Sequence, residues 1–121
     1  MFSVEVIESD VFCTLPSSAQ GLYLHLCMNA DDDGFVDKWK SILRYLKVKR
    51  GMLDCLITSG YILEFNDEVL LIADWRRHNT IKLDRYSASA YKHLLDTLDR
   101  YPNGRYFKPF RDFLEPQYNQ R

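Results

Sequence analysis

The segment from Gly60 to Asn79 constrains this chain more than any other. It holds a glycine and two short apolar runs, Tyr61 to Phe65 and Val69 to Ala73, split by Asn66-Asp67-Glu68 and followed by Trp75-Arg76-Arg77-His78-Asn79. Two apolar runs joined by a short polar turn predict a β-hairpin. Upstream, Ser17 is set to cap a helix running to about Asn29, with Ala19, Leu22, Tyr23, Leu26 and Cys27 at the i, i+3, i+4, i+7, i+8 positions. Asp31-Asp32-Asp33-Gly34 must leave helical geometry, and Phe35-Val36 then reads as a short strand. Asp37 is set to cap a second helix whose stripe is Trp39, Ile42, Leu43 and Leu46. A third helix follows, with Val48, Met52, Leu53, Leu56 and Ile57 inward, ending before Gly60, a residue suited to a left-handed position. Past the hairpin, Ser87 is set to cap a last helix, with Ala88, Tyr91, Leu94, Leu95 and Leu98 on one face, stopped by Pro102-Asn103-Gly104.

Helix, helix, hairpin is the order of a winged helix-turn-helix, a scaffold most often used to hold nucleic acid. The expected fold is mainly α with a small β-hairpin (α+β), with additional N-terminal and C-terminal helices. Residues 1–86 form the winged domain; residues 87–121 are a helix and an aromatic, basic tail packed on it or mediating oligomerisation. With 121 residues, 46% of them hydrophobic, one core can form. No apolar run reaches the ~18–20 residues that cross a bilayer, and Glu5, Glu8 and Asp10 stand where a secretory signal needs cations, so a cytoplasmic protein is expected. Cys13, Cys27 and Cys55 are odd in number and widely spaced. They signal no disulfide framework and no zinc site, and read as buried thiols.

The net charge of −1 conceals a polarity along the chain. Up to Asp74 there are 6 Lys/Arg against 12 Asp/Glu; from Trp75 onward there are 10 against 5. That asymmetry points to an interaction surface in the C-terminal part. A pI near 6.3 argues against general polyanion affinity, so any contact with DNA must come from local patches.

The chain resembles the N-terminal domain of phage-encoded replisome organisers, which is similar to the winged-helix domain of DnaD-type replication initiation proteins. The resemblance covers roughly Val6 to Tyr91. It is carried by Glu8-Ser9-Asp10, Leu15-Pro16-x-Ser18-Ala19-Gln20, Leu22-Tyr23-x-His25-Leu26, Ala30-Asp31-Asp32-Asp33-Gly34-Phe35-Val36-Asp37, Gly60-Tyr61-Ile62, Trp75-Arg76-x-His78-Asn79 and Asp84-Arg85-Tyr86. It implies an oligomerising, origin-associated winged helix of phage or prophage DNA replication. Family members are usually longer, with a second C-terminal domain absent from this sequence, so loader-binding and strand-remodelling roles are not carried over.

Two features depart from that pattern. The turn into the third helix is Lys47-Val48-Lys49-Arg50-Gly51, where the family often holds small polar and acidic caps. Cations at a helix N-terminus oppose its dipole, by a few tenths of a kcal/mol up to about 1 each, unless a phosphate sits there. The wing turn carries Glu64, Asp67 and Glu68, which a phosphate would repel, so wing insertion into a groove is not expected. A second basic cluster comprises Arg76, Arg77, Lys82, Arg85 and Lys92, interleaved with Tyr86 and Tyr91, and suits phosphates and unpaired bases. The bland alternative is that Trp75 and Tyr86 are core, that Arg76 and Arg77 pair with the acidic half, and that His78 is a hydrogen-bonded structural residue.

Asn29-x-Asp31-x-Asp33-Gly34 opens like a calcium loop, but its twelfth position is Lys40 where a bidentate carboxylate is needed. The aspartates read instead as backbone acceptors that cap the next helix. There is no Gly-rich phosphate loop, no nucleophile-base motif and no metal-ligand spacing, so no enzyme, cofactor or metal is expected. The DNA reading assigns phosphate contacts to Lys47, Lys49, Arg50, Arg76, Arg77, Lys82 and Arg85, leaves the third helix few base-reading side chains, chiefly Lys49, Arg50, Asp54 and Thr58, and requires both clusters to share a face. The partner is duplex or single-stranded DNA, and the protein a homodimer or larger oligomer. The rival is a protein-interaction winged helix, a replication adaptor or a phage-encoded inhibitor of a host protein; a transcriptional regulator is the third possibility.

Overall fold

The computed structural model describes residues 2–79 and 85–109. Two single-turn helices, α1 (Val4–Ile7) and α2 (Asp10–Cys13), precede α3 (Ser17–Met28), β1 (Phe35–Val36), α4 (Trp39–Leu46), α5 (Arg50–Thr58), β2 (Ile62–Phe65), β3 (Val69–Ile72) and α6 (Trp75–His78). A 3₁₀ helix (Lys92–Thr97) and a second hairpin, β4 (Asp99–Arg100) with β5 (Tyr106–Phe107), complete the described chain. The fold is α+β, as the periodicities predict, with two small antiparallel sheets rather than one hairpin.

The expected stripe of α3 is buried throughout: Ala19, Leu22, Tyr23, Leu26 and Cys27. On it pack Trp39 and Ile42 of α4 and Leu53 and Leu56 of α5, with Leu43, Leu46, Val48, Met52 and Ile57 half-buried around them. The starting caps differ from expectation. Ser17 is the first helical residue and Pro16 precedes it; the α4 cap position is Lys38, with no capping side chain, so Asp37 does not serve. The single-turn helices were not foreseen because four-residue segments have no period to read. Ser9 starts the second, its Oγ accepting from the Phe12 N–H at 3.2 Å, which drops Phe12 into the core.

The hairpin forms as predicted, with Asn66 and Asp67 both at positive φ, a conformation these residues tolerate better than most. β3 lies between β1 and β2 in the sheet. All four β3 residues are buried, and they alternate: Leu70 and Ile72 join the helical core, while Val69 and Leu71 join a second cluster with Phe35 and Tyr106. A strand covered on both faces explains the unbroken apolar run, and each such side chain contributes about 1.5–3 kcal/mol relative to exposure.

What covers the outer face corrects the expected C-terminal helix. Tyr91, Leu94, Leu95 and Leu98 do face the sheet, but the segment is a short 3₁₀ helix, and Ser87 caps nothing. The acidic turn holds the start of this segment: Asp32 accepts from the Ser87 N–H and Asp33 from the Ser89 N–H, both at 2.8 Å. Asp31 accepts from the Phe35 and Asp33 N–H groups and from the Ser89 hydroxyl. The aspartates thus act as backbone acceptors, as expected, yet they clamp the later segment instead of capping α4.

Asp74, fully buried, ties the remaining pieces together. One oxygen lies 3.2 Å from Arg77 Nη1; the other is 3.6 Å from Arg105 Nε, outside hydrogen-bond reach and held by charge alone. Arg105 also donates to the Gly60 carbonyl at 2.7 Å, and Tyr106 N–H to that of Ala73 at 2.8 Å, which docks the second hairpin on the first.

Gly34 sits at φ +93°, and a Cβ there would lie 2.6 Å from Trp75 Cγ. Gly34→Ala should therefore destabilise by at least ~2 kcal/mol, from left-handed strain plus overpacking, read as a lower urea midpoint with unchanged slope. Gly51→Ala, where nothing lies within 4 Å, should be neutral or stabilising by up to ~1 kcal/mol.

Candidate nucleic-acid interface

α4 is strongly two-sided. Trp39 and Ile42 face the core, while Lys40, Ser41, Arg44 and Tyr45 are exposed on the opposite face. The helix ends at Lys47, whose φ of +58° is left-handed; Lys47 N–H donates to Arg44 O and Val48 N–H to Leu43 O, both at 3.1 Å. Only Val48 turns inward, so Lys47 and Lys49 both reach solvent. Lys49 then precedes α5 with no side-chain cap, leaving the first-turn amides of that helix unclaimed by it. Lys40 Nζ and the Arg50 guanidinium sit 5.3 and 5.0 Å from the Trp39 ring centre, so the indole fixes two of the cations.

The surface is wider than the sequence assignment. Lys38, Lys40 and Arg44 belong to it and were missed because only the turn into the third helix was weighed. A signal existed: all six Lys/Arg of residues 1–74 lie between Lys38 and Arg50, with no Asp or Glu inside that span. Each of the six is exposed.

The assigned residues do not behave alike. Arg50 is engaged by carboxylates, its Nη2 2.6 Å from Glu64 Oε2 and its Nε 3.2 Å from Asp54 Oδ1, which occupies Asp54 as well. Thr58 is exposed at the far end of α5. Arg77 is held between Asp74 and Glu5, each at 3.2 Å, so the pairing alternative describes it correctly. Arg76 and Arg85 are exposed, and Lys82 lies outside the described residues. One arginine from each cluster is thus locked, and among the described residues no side-chain hydrogen bond or ion pair of α6 reaches α4 or α5. No polar contact therefore joins the two clusters into the one face that the sequence reading requires, and the surface from Lys38 to Arg50 stands by itself.

Tyr86 and Tyr91 are likewise engaged. Tyr86 donates its hydroxyl to Asp33 at 2.8 Å beneath Lys92 Nζ, 5.0 Å from its ring, and Tyr91 packs on Phe35 in the second cluster. Trp75 is core, its Nε1 donating to Asp32 O at 3.0 Å. Among the thiols only Cys27 is buried, Cys13 being exposed and Cys55 half-buried, which corrects the expectation of three buried thiols. Burial pushes Cys27 up to about 12, so it stays a thiol at neutral pH and is no nucleophile. Among the described residues, no three His, Cys, Asp or Glu side chains converge to hold a metal, and no helix is long and apolar enough to cross a membrane.

Comparison of the chain with protein-family models, with curated proteins and with solved structures yields no match.

His78 is the structural residue expected from the sequence. Its Nδ1 accepts from the Ser3 N–H at 2.8 Å, so that nitrogen carries no proton, and its Nε2 lies 2.6 Å from Tyr23 Oη. Burial lowers its pKa below the ordinary histidine value, against the pull of nearby Asp74. The folded protein therefore binds this proton less readily than the unfolded chain. Stability from His78 should be complete above the unfolded value of about 6.5 and be lost as pH falls below it. Urea unfolding at about pH 7.5 and about pH 5.5 should show a drop. His78→Gln should shrink that drop, and an equal drop in the variant would refute the assignment.

Proposed function

We propose that this chain is a winged helix-turn-helix DNA-binding protein that grips duplex DNA mainly by its phosphates. The observation that carries the reading is the set of six exposed cations from Lys38 to Arg50 with no intervening carboxylate. Three helices, α3, α4 and α5, with β1 between the first two and the β2–β3 hairpin after the third, in a sheet of order β1, β3, β2, support the fold name. In that scaffold α5 is the helix that would read bases and α4 the one that would cross the backbone. The distribution of charge favours backbone contact. Arg50 is already neutralised by Asp54 and Glu64, whereas Lys40, Arg44, Lys47 and Lys49 have no carboxylate partner among the described residues.

A role in phage or prophage replication, as a replisome-organiser-like protein, is the biological setting we attach to this activity. It rests on the motif resemblance from Glu8-Ser9-Asp10 to Asp84-Arg85-Tyr86. A second reading, a winged helix that docks on another protein, is favoured by one observation: the Arg50–Glu64 pair draws the start of α5 toward the acidic wing and away from base readout.

A labelled duplex of arbitrary sequence, titrated at two salt concentrations, tests the proposal. Binding should be present at low salt. The combined substitution K40Q/R44Q/K47Q/K49Q should weaken it and reduce the log–log salt slope by about 0.9 for each phosphate no longer neutralised. Arg50→Gln should change affinity less than about twofold, because an exposed guanidinium held by two carboxylates contributes little net attraction. Absent duplex binding at low salt, or full affinity in the quadruple variant, would reject the reading in favour of the protein-docking one.

A further inference from the structure

The second hairpin carries an arrangement that the α4 surface does not use. Arg76, exposed on α6, packs along the β4–β5 turn, so closely that a Cβ on Gly104 would lie 3.6 Å from its own Cβ. Gly104 takes the left-handed φ of +95° that the turn needs, and its N–H donates to Tyr101 O at 2.8 Å to close it. Arg100, the last residue of β4, is exposed beside it. The two arginines together line two adjoining clefts of about 620 and 500 Å³. Lys92 and His93 add donors to the larger cleft, and Asp96 is the one acidic side chain in either. Neither Arg76 nor Arg100 has an ion-pair partner among the described residues.

Tyr101 forms part of the smaller cleft. It stacks on Phe107 with ring centres 4.3 Å apart and planes inclined at 31°, yet remains 51% exposed. Phe107 packs against the ring, and about half of the residue's surface remains accessible. An aromatic ring fixed from behind, next to two uncommitted guanidinium groups, has the parts that unpaired nucleotides need: a surface for a base and charge for the flanking phosphates. Duplex DNA has no base face to offer such a ring.

We propose that Arg76, Arg100 and Tyr101 form a binding site for single-stranded nucleic acid, separate from the α4 surface. Tyr101 stacks a base, and the arginines hold the adjacent phosphates in the two clefts. The site shares with the duplex reading only the class of ligand. The sequence pointed to neighbouring residues, Tyr86 and Tyr91, which the fold uses for its own packing.

The test is fluorescence anisotropy with a labelled oligothymidylate and, in parallel, a labelled duplex, on the full chain. R76Q/R100Q should weaken the single strand and lower its log–log salt slope by about 1.4, at about 0.7 per phosphate. Tyr101→Leu should weaken it roughly tenfold or more, and Tyr101→Trp should retain binding and have its emission quenched by the strand. The two Tyr101 variants should leave duplex affinity unchanged, since an uncharged ring neutralises no duplex phosphate. Equal single-strand affinity in R76Q/R100Q and Tyr101→Leu to that of the parent, or no single-strand binding by the parent chain, would overturn this site while leaving the duplex reading intact. Loss of duplex binding alone in K40Q/R44Q/K47Q/K49Q would support the separation; loss of single-strand binding there with no effect of the hairpin variants would refute it.

Discussion

The buried carboxylate of Asp74 is the constraint on which the arrangement of this molecule depends. It sits just past β3, where the N-terminal turns, the first sheet and the second hairpin meet. Through Arg77 it reaches Glu5 and the N-terminal turns; through Arg105 it reaches Gly60, Tyr61 and the second hairpin. A charge removed from water is tolerated only with compensation, and leaving one uncompensated costs about 3–5 kcal/mol. The two guanidinium groups are therefore committed to this junction: Arg77 is kept from any ligand, and the turn carrying Arg76 is held against the β4–β5 hairpin. The neighbouring His78, between Ser3 and Tyr23, adds a second bond from the same short helix to the N-terminal segment.

The sheet depends on that junction in turn. With β3 covered on one side by the helices and on the other by residues 91–107, neither face is free for a ligand. Charge is pushed to the periphery. The acidic turn at Asp31-Asp32-Asp33 spends its carboxylates on Ser87, Ser89, Tyr86 and Phe35, which ties residues 86–89 to that side of the sheet. The cations of α4 face outward because their helix has only a narrow apolar stripe. A chain near electrical neutrality can thus carry a locally cationic surface, since screening over about 8–10 Å makes nearby charge matter more than the total.

Much of the fold could be read from residue spacing. The stripes of α3, α4 and α5, the left-handed Gly60 and the hairpin turn at Asn66-Asp67 all follow from local rules: helical period, glycine's freedom at positive φ, alternation in strands. Burial of Trp75 and the structural use of His78 were readable only as an alternative, because both stand among charged and polar neighbours, Asp74, Arg76, Arg77 and Asn79. The candidate surface was legible only in part. Lys47 and Lys49 were found by their position at a turn, whereas Lys38, Lys40 and Arg44 required noticing that a whole segment lacked carboxylates.

By itself the sequence determined which residues turn inward and where the chain bends, for these depend on neighbours one to four positions away. Only the tertiary structure decided which charges are free. Arg50 and Glu64, Arg77 and Glu5, Tyr86 and Asp33 are separated by 14 to 72 residues along the chain and meet through folding alone. The same holds for the C-terminal segment, whose apolar positions were readable but whose attachment to Asp31, Asp32 and Asp33 through Ser87 and Ser89 spans more than 50 residues of sequence. An ion pair depends on distance in space, and nothing in a residue's local pattern encodes that distance.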